Sequence, residues 1–225
     1  LANKGSTVLI IDLDPQANAT SGLGIQKQLV AQSVYDVLAG EKTIQETTID
    51  SGIDNLYIVP ATTTLAASEQ ELVSRPRREL ILKRAVADVG YDYVFIDCPP
   101  SLGLLSINAL TAADSLLIPV QTEFYALEGL GLLMQTIKRV QAGINPQLKL
   151  MGVIMTMVDT RNALSGQVIA EVKKHFGEYV FDTFIPRNVK LAEAPSYGKT
   201  VYEHDKWSKG SRAYKSLVKE IQKRG

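Results

Sequence analysis

Asp12, Asp14 and Asp97 are the side chains whose types and settings best suit work on a phosphate chain. Val8 to Leu13 is an apolar run that closes in the acidic pair of IDLDPQANAT, and YDYVFIDCPPS delivers Asp97 directly after Val94, Phe95 and Ile96. A carboxylate at the end of an apolar strand can meet magnesium, directly or through a water, because that cation takes hard oxygen ligands and keeps several waters. A phosphate chain completes such a shell. Asp12 and Asp14 stand at i and i+2, so they share a face if the strand extends that far. One could serve the metal side or organise the loops while the other orients an attacking water, since phosphoryl transfer asks mostly for positioning. Pro99-Pro100 stiffen the exit after Asp97 and withhold two backbone donors. On the residues alone, Asp97 could instead cap a helix or pair with a cation. Asp14 could simply close a turn with Gln16 and Asn18.

The elements that must position these groups alternate along the chain. Val8–Leu13, Leu56–Val59, Tyr93–Asp97, Ser115–Val120, Leu150–Met157 and Val180–Ile185 read as strands. Several are apolar without alternation, the pattern of strands covered on both faces. Arg77–Val89, Leu104–Ala112, Leu127–Ala142, Leu164–His175 and Arg212–Lys223 read as helices, with Gly90 a stop for the first. SVYDVLAG reads as a short helix with Val34, Val37 and Leu38 inward, and RPRREL as a helix start. Gly40, Gly143 and Gly177 sit where helices would end, and Asn145-Pro146 marks a turn. The expectation is an α/β fold, a doubly wound, mostly parallel sheet in one domain over residues 1–225. Such sheets bind ligands outside the carboxyl ends of their strands, where all three aspartates fall.

Composition narrows the function classes. With 24 basic and 24 acidic residues the chain is not a protein that coats nucleic acid by bulk charge. Ten Lys or Arg against four Asp or Glu from Arg187 to Gly225 make a local basic face, or a solvated helix surface. Cys98 is the single cysteine, which excludes an intrachain disulfide and suits a small apolar filler at a strand end. No apolar run reaches the length of a membrane span.

DLDPQAN, FIDCPPSLG, VQTEFYALEG and IPRNVKLAEAPSYGK, in that order, resemble the ParA/Soj branch of the deviant Walker P-loop ATPases. MinD and the nitrogenase iron protein are similar at greater distance. The resemblance implies an ATP-dependent switch for chromosome or plasmid partitioning, with ATP and Mg2+ as cofactors. It implies a nucleotide-sandwich homodimer that binds double-stranded DNA without sequence preference and is released when a ParB-type partner stimulates hydrolysis. The implied location is cytoplasmic and nucleoid-associated. Carried onto this sequence, the resemblance makes Asp14 the water-orienting carboxylate and Asp12 its metal-side neighbour. Asp97 becomes the Walker B carboxylate that holds magnesium through water. Pro186, Arg187 and Asn188 would shape the adenine pocket, an apolar wall with a few converging polar groups. Arg161 and Lys190 would contact DNA phosphates, with Lys173, Lys174, Lys199, Lys206, Lys209 and Arg212 as possible extensions.

One family part is missing from residues 1–225: no GxxxxGK(S/T) run occurs. That loop's backbone N–H groups cradle phosphates and its hydroxyl binds magnesium. LANKGS reads as the last turn of a helix and its glycine stop, so the expectation is a first strand, phosphate loop and most of a first helix lying ahead of Leu1. Residues 1–225 alone would then be inactive. Three alternatives stay open. A non-catalytic interaction module would not need the carboxylates. A metabolic ligase or reductase subunit would need further substrate groups or cluster-binding cysteines. A MinD-like membrane-associated ATPase would end in a basic amphipathic helix with bulky apolar residues. AYKSLVKEIQKRG has the helical spacing, but packing against a sheet accounts for its apolar residues, so no stable membrane association is expected.

Overall fold

The computed structural model describes residues 1–123 and 126–224. Phe124 and Tyr125 of the VQTEFYALEG motif, and Gly225, lie outside the described residues. The chain divides into two compact units, Leu1–Ala113 and Asp114–Gly225. Each is described by itself. The layers are mostly parallel α/β.

In the first unit the elements run β1 (Val8–Asp12), α1 (Asn18–Gly22), α2 (Val34–Ala39), α3 (Ile44–Thr47), β2 (Ile49–Ile53), β3 (Leu56–Val59), α4 (Leu65–Val73), α5 (Ile81–Ala85), β4 (Tyr93–Asp97) and α6 (Leu104–Ala112). The sheet order is β2-β3-β1-β4. β1 pairs in parallel with both β3 and β4, and β2 is antiparallel to β3. A strand flanked on both sides and covered on both faces has no polar face to offer. Hence Val8 and Leu9, and again Ile11 and Asp12, are buried at successive positions rather than alternate ones. Leu9 and Ile11 pack with Leu38, Leu65, Leu82 and Leu105 from the helices.

Local chemistry sets the boundaries. Ser33 caps α2, accepting from Tyr35 N at 3.3 Å while its own N–H donates to the Asp36 carboxylate at 2.7 Å. Gly40 ends that helix at φ 74°, in the left-handed region that glycine enters without strain. The helix expected over Arg77–Val89 is shorter. Arg77 has φ 53°, a 3-10 turn covers Arg78–Leu80, and α5 stops at Ala85. The cause lies on α6. Asn108 accepts from Leu82 N at 3.2 Å and donates to Arg78 O at 2.9 Å, so a side chain occupies backbone groups of the first turn. Beyond Ala85 the chain turns so that the Asp92 carboxylate accepts from Thr7 N at 2.7 Å and from Thr7 Oγ1 at 2.9 Å. That clasp sets β4 in register with β1.

The second unit runs β5 (Ser115–Gln121), α7 (Ala126–Gly143), β6 (Lys149–Thr156), α8 (Ala163–Phe176), α9 (Val189–Glu193), α10 (Val201–Asp205) and α11 (Lys209–Arg224). β5 and β6 pair in parallel, with a register shift after Leu116 and Leu150. The strand expected over Val180–Ile185 does not form. Only isolated bridges link Val153 with Val180 and Val158 with Pro186. Phe181 N and Ile185 N reach Val153 O and Met155 O at 2.9 Å each. Between them, however, Asp182 N and Thr183 N donate to the Glu220 carboxylate of α11 at 2.8 and 2.9 Å. A side chain has taken donors that a ladder would use.

Candidate functional site

Asp12 and Asp97 face each other in register at the carboxyl ends of the adjacent parallel strands β1 and β4. Leu13 N then donates to Asp97 O at 2.8 Å, holding the two exits together for one more residue. The same-face arrangement of Asp12 and Asp14 does not occur, because β1 stops at Asp12. Asp12 itself ends the strand: its Oδ1 accepts from Asp14 N at 3.2 Å, which turns the chain out of the ladder. Its Oδ2 accepts from Thr20 N at 2.8 Å and Thr20 Oγ1 at 2.6 Å. Asp12 is fully buried. Both of its oxygens are therefore engaged by the chain.

Asp14 follows at the surface of this turn, half-buried. Its Oδ1 accepts from Gln16 N at 2.9 Å and its carbonyl accepts from Ala17 N at 2.8 Å. The turn with Gln16 is therefore present, and Oδ2 makes no hydrogen bond among the described residues. Ala17 closes the turn at φ 52°, a left-handed conformation that costs a non-glycine residue and persists only where packing over-determines it. Ala17 is fully buried. Lys27 donates from Nζ to Gln16 O and braces the loop from outside.

Asp97 sits at the mouth of the strand end. Neighbouring atoms crowd its carboxyl enough that desolvation, followed by the negative charges of Asp12 and Asp14, raises its pKa to about 6. A cation at this mouth would offset these penalties by its attraction for the ionised carboxylate. The described residues contain no group of three or more His, Cys, Asp or Glu that could hold a metal. A lone hard carboxylate fits magnesium held through water and phosphate rather than a cage of protein ligands. Next to it, the Cys98 thiol is pushed up to about 12, by burial first and then by Asp97 and Asp14. A thiol held protonated is a poor nucleophile, but the residue is exposed, so it does not pack as the apolar filler expected from sequence.

The remaining expected residues lie in the second unit. Pro186 bridges to Val158, and Arg187 N donates to Val158 O at 3.0 Å. The Arg187 guanidinium makes an exposed ion pair with Glu123 at 3.6 Å. Asn188 caps α9, its Oδ1 accepting from Lys190 N at 3.1 Å. Arg161 grips the Asp159 carboxylate through Nε at 3.0 Å and a terminal nitrogen at 2.8 Å. Lys190 pairs with Glu193 at 2.9 Å. Among the possible extensions, Lys173 lies over Phe184, Lys174 pairs with Glu171 and Lys206 lies over Trp207.

A family model described as an AAA domain matches residues 1–150. Soj, the sporulation initiation inhibitor protein of Bacillus subtilis (strain 168), is 52% identical over 227 residues, covering 100% of this chain and 90% of Soj. The chromosome partitioning protein ParA of Myxococcus xanthus is 46% identical, covering 100% of this chain and 80% of that protein. The chain belongs to the ParA/Soj family of partitioning ATPases. Among solved structures, a cobyrinic acid a,c-diamide synthase from Mycobacterium smegmatis with bound ATP analog and magnesium superposes with a TM-score of 0.84 at 36% identity. The match covers 96% of this chain and 82% of that one. ParA/Soj proteins are ATP-dependent, and ATP and Mg2+ are the cofactors of this fold. No helix among the described residues is long and apolar enough to cross a membrane.

Sequence reasoning missed Thr20, Ala61 and Lys27. Thr20 stands eight residues after Asp12, and no periodicity reports a contact that requires the chain to fold back on its own strand end.

Proposed function

We propose that this chain is the body of an ATP-driven partitioning switch in which Asp14 orients the attacking water and Asp97 holds magnesium through water. The supporting observation is the pairing of Asp12 with Asp97 at adjacent strand ends, with Asp14 set at the immediate exit of β1 and one carboxylate oxygen left for a ligand. Bound Mg·ATP supplies the phosphoryl group and neutralises its charge. The chain's part is to fix one carboxylate for the metal side and another for a water. The fully buried Asp12 supports the loop between them and acts at the metal only at second hand. Pro186, Arg187 and Asn188 shape the adenine contact.

The reading requires a phosphate loop, and no GxxxxGK(S/T) run occurs in residues 1–225. In the complete switch two copies close on nucleotide, bind DNA without sequence preference through Arg161 and Lys190, and let go when a ParB-type partner stimulates hydrolysis. The switch works in the cytoplasm on the nucleoid. A ligase reading has the 36% identity to the diamide synthase in its favour. The 52% identity to Soj over the whole chain weighs more.

The test uses the natural protein carrying its phosphate loop. Asp14→Ala is expected to keep ATP affinity within about threefold and to lose about a hundredfold or more in turnover, in the range of a misplaced catalytic group. ATP turnover unchanged in Asp14→Ala would overturn the assignment.

A further inference from the structure

We infer that Thr20 is a positioning residue for the Asp14 loop, acting through the buried Asp12 carboxylate. Resting on the reading of Asp14 given above, it adds the part that fixes where Asp14 stands. The Thr20 hydroxyl has one proton and gives it to Asp12 Oδ2 at 2.6 Å. Its lone pair accepts from Ala61 N at 3.0 Å, just beyond the end of β3. Thr20 N adds a second bond to the same carboxylate oxygen at 2.8 Å. The opposite oxygen, Oδ1, takes Asp14 N at 3.2 Å. One continuous path therefore runs from Ala61 through Thr20 and Asp12 to the backbone of Asp14.

The inner part of the path is shielded from solvent, since Ala61, Thr20 and Asp12 are all fully buried. A buried carboxylate needs its bonds, and hydrogen bonds to a charged group are among the stronger ones. β1 and β3 are neighbours, with Ile11 opposite Val59. Thr20 thus references the Asp14 turn to two strands at once, while Leu13 N on Asp97 O references it to a third. Capping alone would account for Thr20 N on the carboxylate. It would not account for a hydroxyl that both donates to Asp12 and accepts from the exit of another strand. Loss of the hydroxyl frees Ala61 N and takes the shortest bond from Asp12, so the carboxylate can turn and the Asp14 amide loses its reference.

The test compares Thr20→Val, which keeps shape and removes the hydroxyl, with Thr20→Ser, which restores it, in the natural protein. Two readouts are taken: amide hydrogen exchange over residues 13–24 and steady-state ATP hydrolysis. For Thr20→Val we expect exchange in that segment to rise about tenfold with β5 and β6 unchanged. We expect kcat to fall about tenfold or more, which corresponds to about 1.4 kcal/mol, with KM for ATP within about twofold. Thr20→Ser is expected to restore both. Exchange within about twofold of wild type in Thr20→Val overturns the proposal, as does a serine variant as impaired as the valine one. If Thr20→Val does not fold, Thr20→Ala removes the same hydroxyl and is judged by the same readouts. A wild-type protein that fails to hydrolyse ATP would refute the reading of Asp14, and exchange alone would still decide the role of Thr20.

Discussion

Asp97 carries its proton more tightly in the folded chain than out of it, and the sign of that preference makes a measurable claim. Its pKa rises from the ordinary 3.8 to about 6, through desolvation first and then through Asp12 and Asp14. A raised carboxyl costs the fold nothing below pH 3.8, where both states are protonated. The penalty grows as pH rises towards 6, because the unfolded chain releases the proton first, and is constant above that. Asp97 stands at an open strand end, so solvent screens part of the effect. Asp97→Asn is therefore expected to be as stable as wild type at pH 4 and more stable above pH 6 when magnesium and nucleotide are absent. Denaturant midpoints at pH 4, 5, 6 and 7 would show it, and equal midpoints at pH 7 would refute it. With Mg·ATP present the order should reverse, since the variant has lost the charge proposed to face the cation.

At the scale of elements, a single glutamate decides why one expected strand is not a strand. Burial alone would raise the pKa of Glu220, but donation from Thr183 and Asp182 and the charge of Arg224 overcome it and hold the carboxyl below its ordinary value. Glu220→Ala is expected to cost about 2 kcal/mol, in the range of charge-assisted hydrogen bonds lost from a partly buried acceptor, with Glu220→Gln recovering part. Thermal unfolding at pH 7 measures it. The depressed pKa puts that stability above the ordinary pKa of 4.5, and it disappears as pH falls below the folded value. A variant as stable as wild type at pH 7 would mean that water replaces the carboxylate at no cost. The same contrast explains what was legible in the sequence. Leu56–Val59, Tyr93–Asp97 and Leu104–Ala112 occur where apolar pattern and flanking turn residues put them, because burial alone writes those signals. Val180–Ile185 is equally apolar at its ends, yet its fate rests on a side chain almost forty residues away. The shortened α5 likewise rests on Asn108. Of the site, the acidic strand ends were legible because strand and charge are both local. The burial of Asp12 was not, since it comes from the return of Thr20.

For the whole molecule, the two cations proposed to contact DNA are already occupied, and this sets what such binding would look like. Arg161 is held by Asp159 through two bonds, and Lys190 by Glu193 through one. Hydrogen bonds from Arg161 hold the Asp159 carboxyl down to about 2, so the pair stays ionised throughout the physiological range. Both pairs are exposed, and exposed pairs are worth at most about 1 kcal/mol, so a DNA phosphate can displace the carboxylate without a large cost. One copy of such a surface makes few phosphate contacts and binds weakly. Two copies brought together by nucleotide double the contacts, and affinity gained from phosphate contacts falls steeply with salt. The ATP-bound homodimer is therefore expected to bind a random duplex at low salt and the nucleotide-free protein to bind far less. Arg161→Ala should weaken that binding equally for all sequences. It should also lower the slope of log K against log salt by about 2, one phosphate from each copy at about 0.9 apiece. Asp159→Asn, which leaves the cation and removes its internal competitor, should tighten binding at the same salt. DNA affinity independent of ATP, or a salt slope unmoved by Arg161→Ala, would place the DNA surface elsewhere on the molecule.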